Sequence, residues 1–459
     1  MAVWSEVNFH NLTEDLRLDS EYYQPEHLKL DHLLKEMGAP LWGTLDGNFI
    51  VGPFGSAFLV ENYVEKSSYR YIRGRDVKPF FLLDDENCYM PEDHFDRLRK
   101  YELQQGDLLV SVVGTLGNVS VVTKDAGKAV FSCKSTAFRP KNVDSFYLCA
   151  YLNSSIGQSY LQRMVRGHVQ TGLNLGDLKE IPIFIPNESA ERKIGDIVRR
   201  AYSKRSESKG LYAQAEALLL SDLDLNDLDV SPTLFYERRF SEAERSARLD
   251  AEFFQPAYQK IVDICCAYKG GAETLETLLV SMTNGVECRT FVDEGVAYIR
   301  VGDMGKLRIR YFNAVRISTE DASRLYFKVN LQEGDVLTAR SGSIGQACVV
   351  TKNDLESVLS SHLMRLRARK NCPVLSDYLA LFLATLPGIQ QVMKNGNGGI
   401  VPEISQPFMK RIVVPILAKQ TQQRLSDLIR ESHQAEDESR DLLEEAKRMV
   451  EKAILGDNR

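Results

Sequence analysis

The chain has 459 residues and a mass of 51.9 kDa, material for about three domains at roughly 150 residues each. Its 44% hydrophobic and 26% charged residues describe an ordinary globular composition, neither disordered nor fibrous. A formal charge of −6 and a pI near 5.8 exclude nucleic-acid binding through bulk positive charge, though not through a local basic surface.

In chain order, the opening MAVWSEVNFHNLTEDLRLD is acidic and polar and lacks the basic-then-apolar pattern of a secretory signal. A helical entry follows, carried by Tyr22, Tyr23, Leu28, Leu30, Leu33 and Leu34. Strand-like runs punctuated by Gly, Asn and Asp come next, among them Phe49 to Val51, Asp107 to Val113 and Val119 to Val122. A shorter helical signal lies near Phe146 to Met164, and a long polar helix is expected from about Ala190 to Leu220. The stretch Ser221 to Ser231, with Asp222, Asp224, Asp227 and Asp229 ahead of Pro232, reads as an exposed joint.

The same order then returns. Phe253, Phe254, Tyr258, Ile261 and Ile264 make a second helical entry, and Tyr298 to Val301, Asp335 to Thr338 and Ala347 to Val350 read as strands. A helical signal near Asp377 to Met393 and a long helix from about Gln420 to Ile454 close the chain. No run reaches the about 18 apolar residues of a membrane span. The eight cysteines form no Cys-x-x-Cys pair, so reduced, mostly buried thiols in a cytoplasmic protein are expected.

The two series match residue for residue. Arg17-Leu18-Asp19-Ser20-Glu21-Tyr22-Tyr23-Gln24-Pro25 recurs as Arg248-Leu249-Asp250-Ala251-Glu252-Phe253-Phe254-Gln255-Pro256, and Tyr71-Ile72-Arg73 as Tyr298-Ile299-Arg300. LQQGDLLVSVVGTLGNVSVVTK, from Leu103, stands against LQEGDVLTARSGSIGQACVVTK, from Leu331. Every offset lies between 227 and 231 residues, about half the chain. A period that long is a duplicated domain, not a solenoid repeat. Both long helices carry a partial heptad: Ile194, Ile197, Ala201, Leu211, Ala215 and Leu218, then Leu425, Leu428, Ala435, Leu442, Ala446 and Met449. Lys204 and Ser208 interrupt the first, Ser432 and Ser439 the second, which suits a two-helix seam with small or polar central positions. The alternative is that each helix packs only on its own domain.

Catalytic signatures are missing. There is no Pro-Pro dipeptide, hence no [Asp/Asn]-Pro-Pro-[Tyr/Phe] base-holding loop of amino-group DNA methyltransferases, and no phosphate loop for ATP-driven translocation. No Pro-Asp dipeptide begins a common nuclease metal motif, and the seven His form no His-x-x-x-His pair, so no metal site is expected. Gly396, Gly398 and Gly399 follow a helical stretch instead of a strand, the wrong context for a nucleotide loop. Positive charge is patchy: Arg70, Arg73, Arg75 and Lys78; Arg300, Lys306, Arg308, Arg310 and Arg316; Arg97, Arg99 and Lys100; Arg163, Arg166 and His168; Arg365, Arg367, Arg369 and Lys370. Their recurrence in both halves favours phosphate contacts over plain solvent faces.

The two Gly-Asp-[Leu/Val]-Leu-x-x-x-x-Gly-[Thr/Ser]-x-Gly segments, Gly106 to Gly117 and Gly334 to Gly345, the paired Arg-Leu-Asp entries and the closing helices resemble the DNA-specificity subunit of type I restriction–modification enzymes, over nearly the whole chain. The family's usual Pro-Leu-x-Glu-Gln at the helix start is altered here, to Pro186-Asn187-Glu188-Ser189-Ala190-Glu191 and Pro415-Ile416-Leu417-Ala418-Lys419-Gln420. The resemblance implies an α+β chain: two tandem-duplicated α/β target-recognition domains joined by two long antiparallel coiled-coil spacer helices, with pseudo-twofold symmetry. The expected divisions are 1–37 (entry), 38–187 (first recognition domain), 188–221 (spacer), 222–267 (linker and second entry), 268–417 (second recognition domain) and 418–456 (spacer).

It further implies a non-catalytic subunit, without cofactor of its own, that addresses double-stranded DNA. Two methyltransferase subunits carrying S-adenosylmethionine, and motor–nuclease subunits using ATP and Mg, would be its partners. Each domain would read half of a split site, and the helices would set the gap. Candidate DNA-binding residues in the first copy are Arg73, Arg75, Thr115, Asn118, Lys134, Arg166, His168, Gln170, Thr171 and Asn174. In the second they are Arg300, Lys306, Arg308, Arg340, Ser341, Ser343, Gln346, His362, Asn395 and Asn397. The competing readings are a protein-interaction scaffold of duplicated β domains with no nucleic-acid role, and a catalytic methyltransferase or nuclease.

Overall fold

The computed structural model describes residues 4–8, 12, 17–85, 87–166, 171–311, 314–396 and 403–456. They form two compact units, residues 1–206 with 435–459, and residues 207–434.

In the first unit, strands β1 (Gly47–Val51), β2 (Tyr69–Ile72), β3 (Phe80–Phe81), β4 (Tyr89–Met90), β5 (Leu108–Ser111), β6 (Val119–Val121), β7 (Lys128–Phe131) and β8 (Ser135–Pro140) build two sheets. Their orders are β1-β8-β5-β6-β3 and β4-β2-β7. All four residues of β5 are buried, as suits an unbroken apolar run in a sheet centre. The pairs β2/β7 and β3/β6 are parallel, and the others antiparallel.

The second unit repeats the scheme. It contains β9 (Ala272–Thr274), β10 (Leu279–Asn284), β11 (Val296–Ile299), β12 (Val315–Ile317), β13 (Val336–Ala339), β14 (Ala347–Val349), β15 (Val358–Leu359), β16 (Leu363–Ala368) and β17 (Val413–Pro415). The orders are β10-β16-β13-β14, β12-β11-β15 and β17-β9. Here β11 and β15 form the parallel pair that corresponds to β2 and β7.

The helical signal after each β region is in fact two helices, Ser145–Asn153 with Ser155–Arg163, and Ser376–Ala384 with Leu386–Asn395. Ser154 breaks the first pair, its Oγ accepting the Gly157 N–H at 3.2 Å. The glycine two residues into each second helix permits the close turn. A Cβ on Gly157 would stand 2.2 Å from the Tyr151 carbonyl oxygen, and one on Gly388 2.2 Å from that of Phe382.

Two long helices, Glu188–Asp222 and Lys419–Leu455, each contribute to both units. Asn187 caps the first, its Oδ1 accepting the Ala190 N–H at 3.0 Å, so the altered motif still starts the helix cleanly. One turn on, Glu191 accepts the Asp144 N–H at 2.7 Å, and Gln422 accepts the Leu375 N–H at 2.8 Å at the matching place in the second copy. In the first unit the helices run antiparallel, Ser439 Oγ donating to the Ala201 carbonyl at 2.7 Å beside a 2.8 Å Lys204–Glu438 ion pair. In the second, Ser432 Oγ donates to the Ser208 carbonyl at 2.8 Å. The residues that interrupt the heptads thus bond one helix to the other, and the helices pack on each other as well as on their domains.

Each unit has its own core. Trp42, Phe138, Tyr147, Leu148 and Tyr151 join Ala446, Val450 and Ile454 of the second long helix in the first unit. Tyr378, Leu379, Phe382 and Met364 join Ala215 and Leu219 of the first long helix in the second unit. Two expectations need correction. The acidic joint is not wholly exposed: Leu223 and Leu225 are buried in the second core, and Asp222 accepts the Tyr268 hydroxyl at 2.6 Å. Of the thiols, Cys88, Cys149, Cys265 and Cys348 are buried, but Cys133 and Cys266 are exposed and Cys288 and Cys372 intermediate.

Gly157→Ala or Gly388→Ala drives a methyl into a backbone carbonyl and should destabilise its unit by about 2–3 kcal/mol. Gly176→Ala, with open space around its Cβ, should change stability by less than about 1 kcal/mol. Thermal unfolding of the full chain compares the three.

Candidate nucleic-acid interface

The Gly-Asp pair that opens each repeated motif anchors the central strand. Gly106 and Gly334 take left-handed backbone (φ 93° and 86°), closing the turn that precedes the central strand of each copy. The following aspartate is buried in both. Asp107 accepts the Gln104 N–H at 2.8 Å and both Nε and Nη2 of Arg139 at 2.7 Å. Asp335 accepts the Gln332 N–H at 2.8 Å and the Arg367 fork at 2.7–2.8 Å. These bonds push the guanidinium pKa of Arg139 and Arg367 above its ordinary value.

Loops gather at the opposite end of those strands. Register places the C-terminal ends of β1, β2, β5 and β7 beside the N-terminal ends of β6 and β8. Segments 73–76, 112–118 and 132–134 therefore share one end, and the Val112 carbonyl accepts the Leu173 N–H at 3.0 Å, bringing in 165–166 and 171–174. In the second copy the ends of β10, β11, β13 and β15 bring 285–292, 300–303, 340–346 and 360–362 together. Arg340 donates its N–H to the His362 carbonyl at 2.9 Å and accepts that of Ile404 at 2.8 Å.

Most of the sequence candidates lie on these loops. Thr115, Lys134, Thr171 and Asn174 are exposed, as are Ser343 and His362. Arg75 is 58% exposed and Arg300 45%, although their neighbours Asp76 and Asp303 stand 3.8 Å and 3.5 Å from them. Ser341 and Gln346 are half-buried. Others are held inside the fold: Arg73 makes a two-bond fork to Asp76 at 2.9 Å, Arg166 grips Asp177 at 2.5–3.0 Å, and Asn118 donates to the Val77 carbonyl at 3.1 Å. Arg340 pairs with Glu403 across the loop end. Lys306 and Arg308 lie elsewhere, against the second long helix: His433 Nε2 meets the Lys306 carbonyl at 2.8 Å, and Arg308 donates to the His433 carbonyl at 3.4 Å. Asn395 is buried, donating to the Gln391 carbonyl at 2.8 Å within its own helix. His168, Gln170 and Asn397 lie outside the described residues.

Several arginines of the cationic clusters are bonded within the fold. Burial lowers the pKa of Arg70, which donates to the Leu83 carbonyl, and of Arg365, which donates to the Val329 carbonyl at 2.5 Å and to Ser281 and Thr283 at 2.9 Å. Arg369 pairs with Glu273 at 2.8 Å, and Arg97 with Asp93 at 3.1 Å. Arg70 and Arg365 correspond to Ala297 and Ala137 in the other copy, so these are folding contacts particular to one half. Sequence reasoning also missed Asn284, which ends β10 at the loop end and accepts from Gln406 at 3.0 Å, and Glu403. A polar residue closing a strand run was the available signal for Asn284, and Glu403 had none.

Among the described residues no group of His, Cys, Asp and Glu could hold a metal ion, and no helix is long and apolar enough to cross a membrane. No curated protein matches the chain significantly. Solved structures resembling it include the type I restriction–modification S subunit from M. genitalium, at 14% identity and TM-score 0.42, covering 90% of this chain and 94% of that one. The HsdS subunit from Thermoanaerobacter tengcongensis resembles it at 14% identity and TM-score 0.28, over 90% and 97% of the two chains. The family model for the type I restriction modification DNA specificity domain matches twice, at residues 58–217 and 289–439. That family supplies DNA sequence specificity to type I systems, a non-catalytic role exercised with DNA and the other subunits of the system. Carrying its domain in duplicate over most of its length, the chain belongs to the type I restriction–modification DNA-specificity family.

Proposed function

We propose that each copy, residues 38–187 and 268–417, reads one half of a split DNA site, and that the spacer helices, 188–221 and 418–456, fix the unread gap between the halves. One observation carries this reading: the same strand ends deliver loops of different chemistry in the two copies. VVGTLGN after Ser111 in the first stands where RSGSIGQ follows Ala339 in the second, on matching frames. A shared scaffold with divergent tips suits one task performed on two base sequences.

In this reading Arg75, Lys134 and Arg300 contact phosphates, while Thr115, Thr171, Asn174, Arg340, Ser341, Ser343, Gln346 and His362 supply donors and acceptors for base edges. Arg73, Arg166 and Asn118 shape the loops from within. Two methyltransferase subunits bearing S-adenosylmethionine dock on the spacer helices and flip an adenine near each half-site. Motor–nuclease subunits using ATP and Mg add restriction, and the assembly works in the cytoplasm.

Arg340→Ala should cost about 1–3 kcal/mol of discrimination at one base pair, confined to the half-site read by the second copy. Methylation of a library of randomised sites, by the chain assembled with its methyltransferase, measures this. Equal loss at both halves would count against two independent readers. Inserting two helical turns, 7 residues at about 1.5 Å each, at matched positions of both long helices should widen the gap by about three base pairs. The bases read should not change, and an intact complex that kept its gap would end the ruler idea.

A further inference from the structure

The entry motif is repeated almost letter for letter, yet it lies outside the two stretches the family model matches. In the first copy Arg17 donates through Nε to Asp19 at 2.5 Å and through Nη2 to the Val165 carbonyl at 2.9 Å. Its guanidinium stands 4.4 Å from the Tyr22 ring centre, and that of Arg163 stands 4.1 Å from the same centre. Arg163 Nε also donates to the Tyr22 carbonyl at 2.7 Å. One aromatic ring thus holds two cations, each also bonded to backbone.

The second copy rebuilds this arrangement with altered parts. Arg248 forks onto Asp250 at 2.5–2.6 Å and donates to the Gly396 carbonyl at 3.0 Å. Arg248 and Lys394 stand 5.0 Å and 4.2 Å from the centre of the Phe253 ring, and Lys394 donates to the Phe253 carbonyl at 2.9 Å. Phe has replaced Tyr and Lys has replaced Arg, but each gripped carbonyl keeps its place, 231 residues apart. The same two carbonyls are therefore gripped by cations in both copies, although the ring and one of the cations differ.

Val165 and Gly396 each follow the second helix of a pair by two or fewer residues. Beside Val165, Arg166 exchanges backbone bonds with Gly172 at 2.9 Å and Leu173 donates to the Val112 carbonyl. The Glu403 carbonyl lies 3.5 Å from a Cβ built on Gly396, and Ile404 donates to the Arg340 carbonyl. We propose that Arg17 and Arg248 are positioning residues for DNA recognition: each ties the entry segment to backbone beside a loop end, and so fixes where Thr171 and Asn174 in the first copy, and Arg340 in the second, fall on the bases. This rests on the reading of the loop ends as the DNA-contacting surface. Asp19, 44% exposed, stays solvated when Arg17 is removed, so the variants should fold.

The test uses the full chain assembled with its methyltransferase, in Arg17→Ala, Arg248→Ala and, as a milder change, Arg17→Lys forms. Hydrogen exchange should quicken at the Arg166 and Gly172 amides in Arg17→Ala, while amides of the central strand stay protected. Discrimination between cognate and single-base-variant sites should fall about tenfold, the worth of one hydrogen bond to a charged group, in the half-site of the altered copy alone. Arg17→Lys keeps a cation over Tyr22 without the fork and should fall between. Unchanged exchange, or quickened exchange with discrimination intact while Arg340→Ala still relaxes its half-site, overturns the positioning role. If Arg340→Ala also leaves discrimination untouched, the reading of the loops is wrong and the proposal falls with it.

Discussion

The buried aspartate at the base of each central strand is the constraint on which the loop ends depend. Asp107 and Asp335 sit where water cannot reach, so each charge must be met by donors held in place. A backbone N–H and an arginine fork meet it in each copy. The fork comes from the neighbouring strand, so the bond fixes the stagger of β5 on β8 and of β13 on β16. At the far end of those strands the same stagger decides which loop residues stand side by side. A shift of one residue would turn each side chain of the wholly buried β5 and β13 to the opposite face and misalign the loops at their ends.

The architecture was legible because duplication wrote it twice. Two copies of each strand run and of each long helix separated meaningful pattern from chance, and Ser208, Ser432 and Ser439 marked the helix seam through their small size. The break inside each shorter helical stretch was not legible, since Ser154 and Thr385 are unremarkable in sequence and only the carbonyls beside Gly157 and Gly388 explain it. Leu223 and Leu225 were hidden by the aspartates around them, whose charge suggested exposure.

The loop ends were legible in part. Thr115, Lys134, Ser343 and His362 were found because loop position after a strand is a local property. Arg73, Arg166 and Asn395 read in the sequence as DNA contacts, because their partners Asp76, Asp177 and the Gln391 carbonyl are ordinary groups whose proximity only folding reveals. Repeated arginines proved ambiguous for a general reason. A duplicated domain preserves its internal ion pairs as faithfully as any contact with a ligand, so recurrence alone does not separate the two.

The twins also differ in one atom that matters. Cys133, exposed beside Lys134, has Ser361 as its counterpart beside His362. At this matched position the first copy offers a soft, oxidisable sulfur where the second offers a hard hydroxyl oxygen, so a thiol-directed reagent would distinguish the position in one frame from its counterpart in the other.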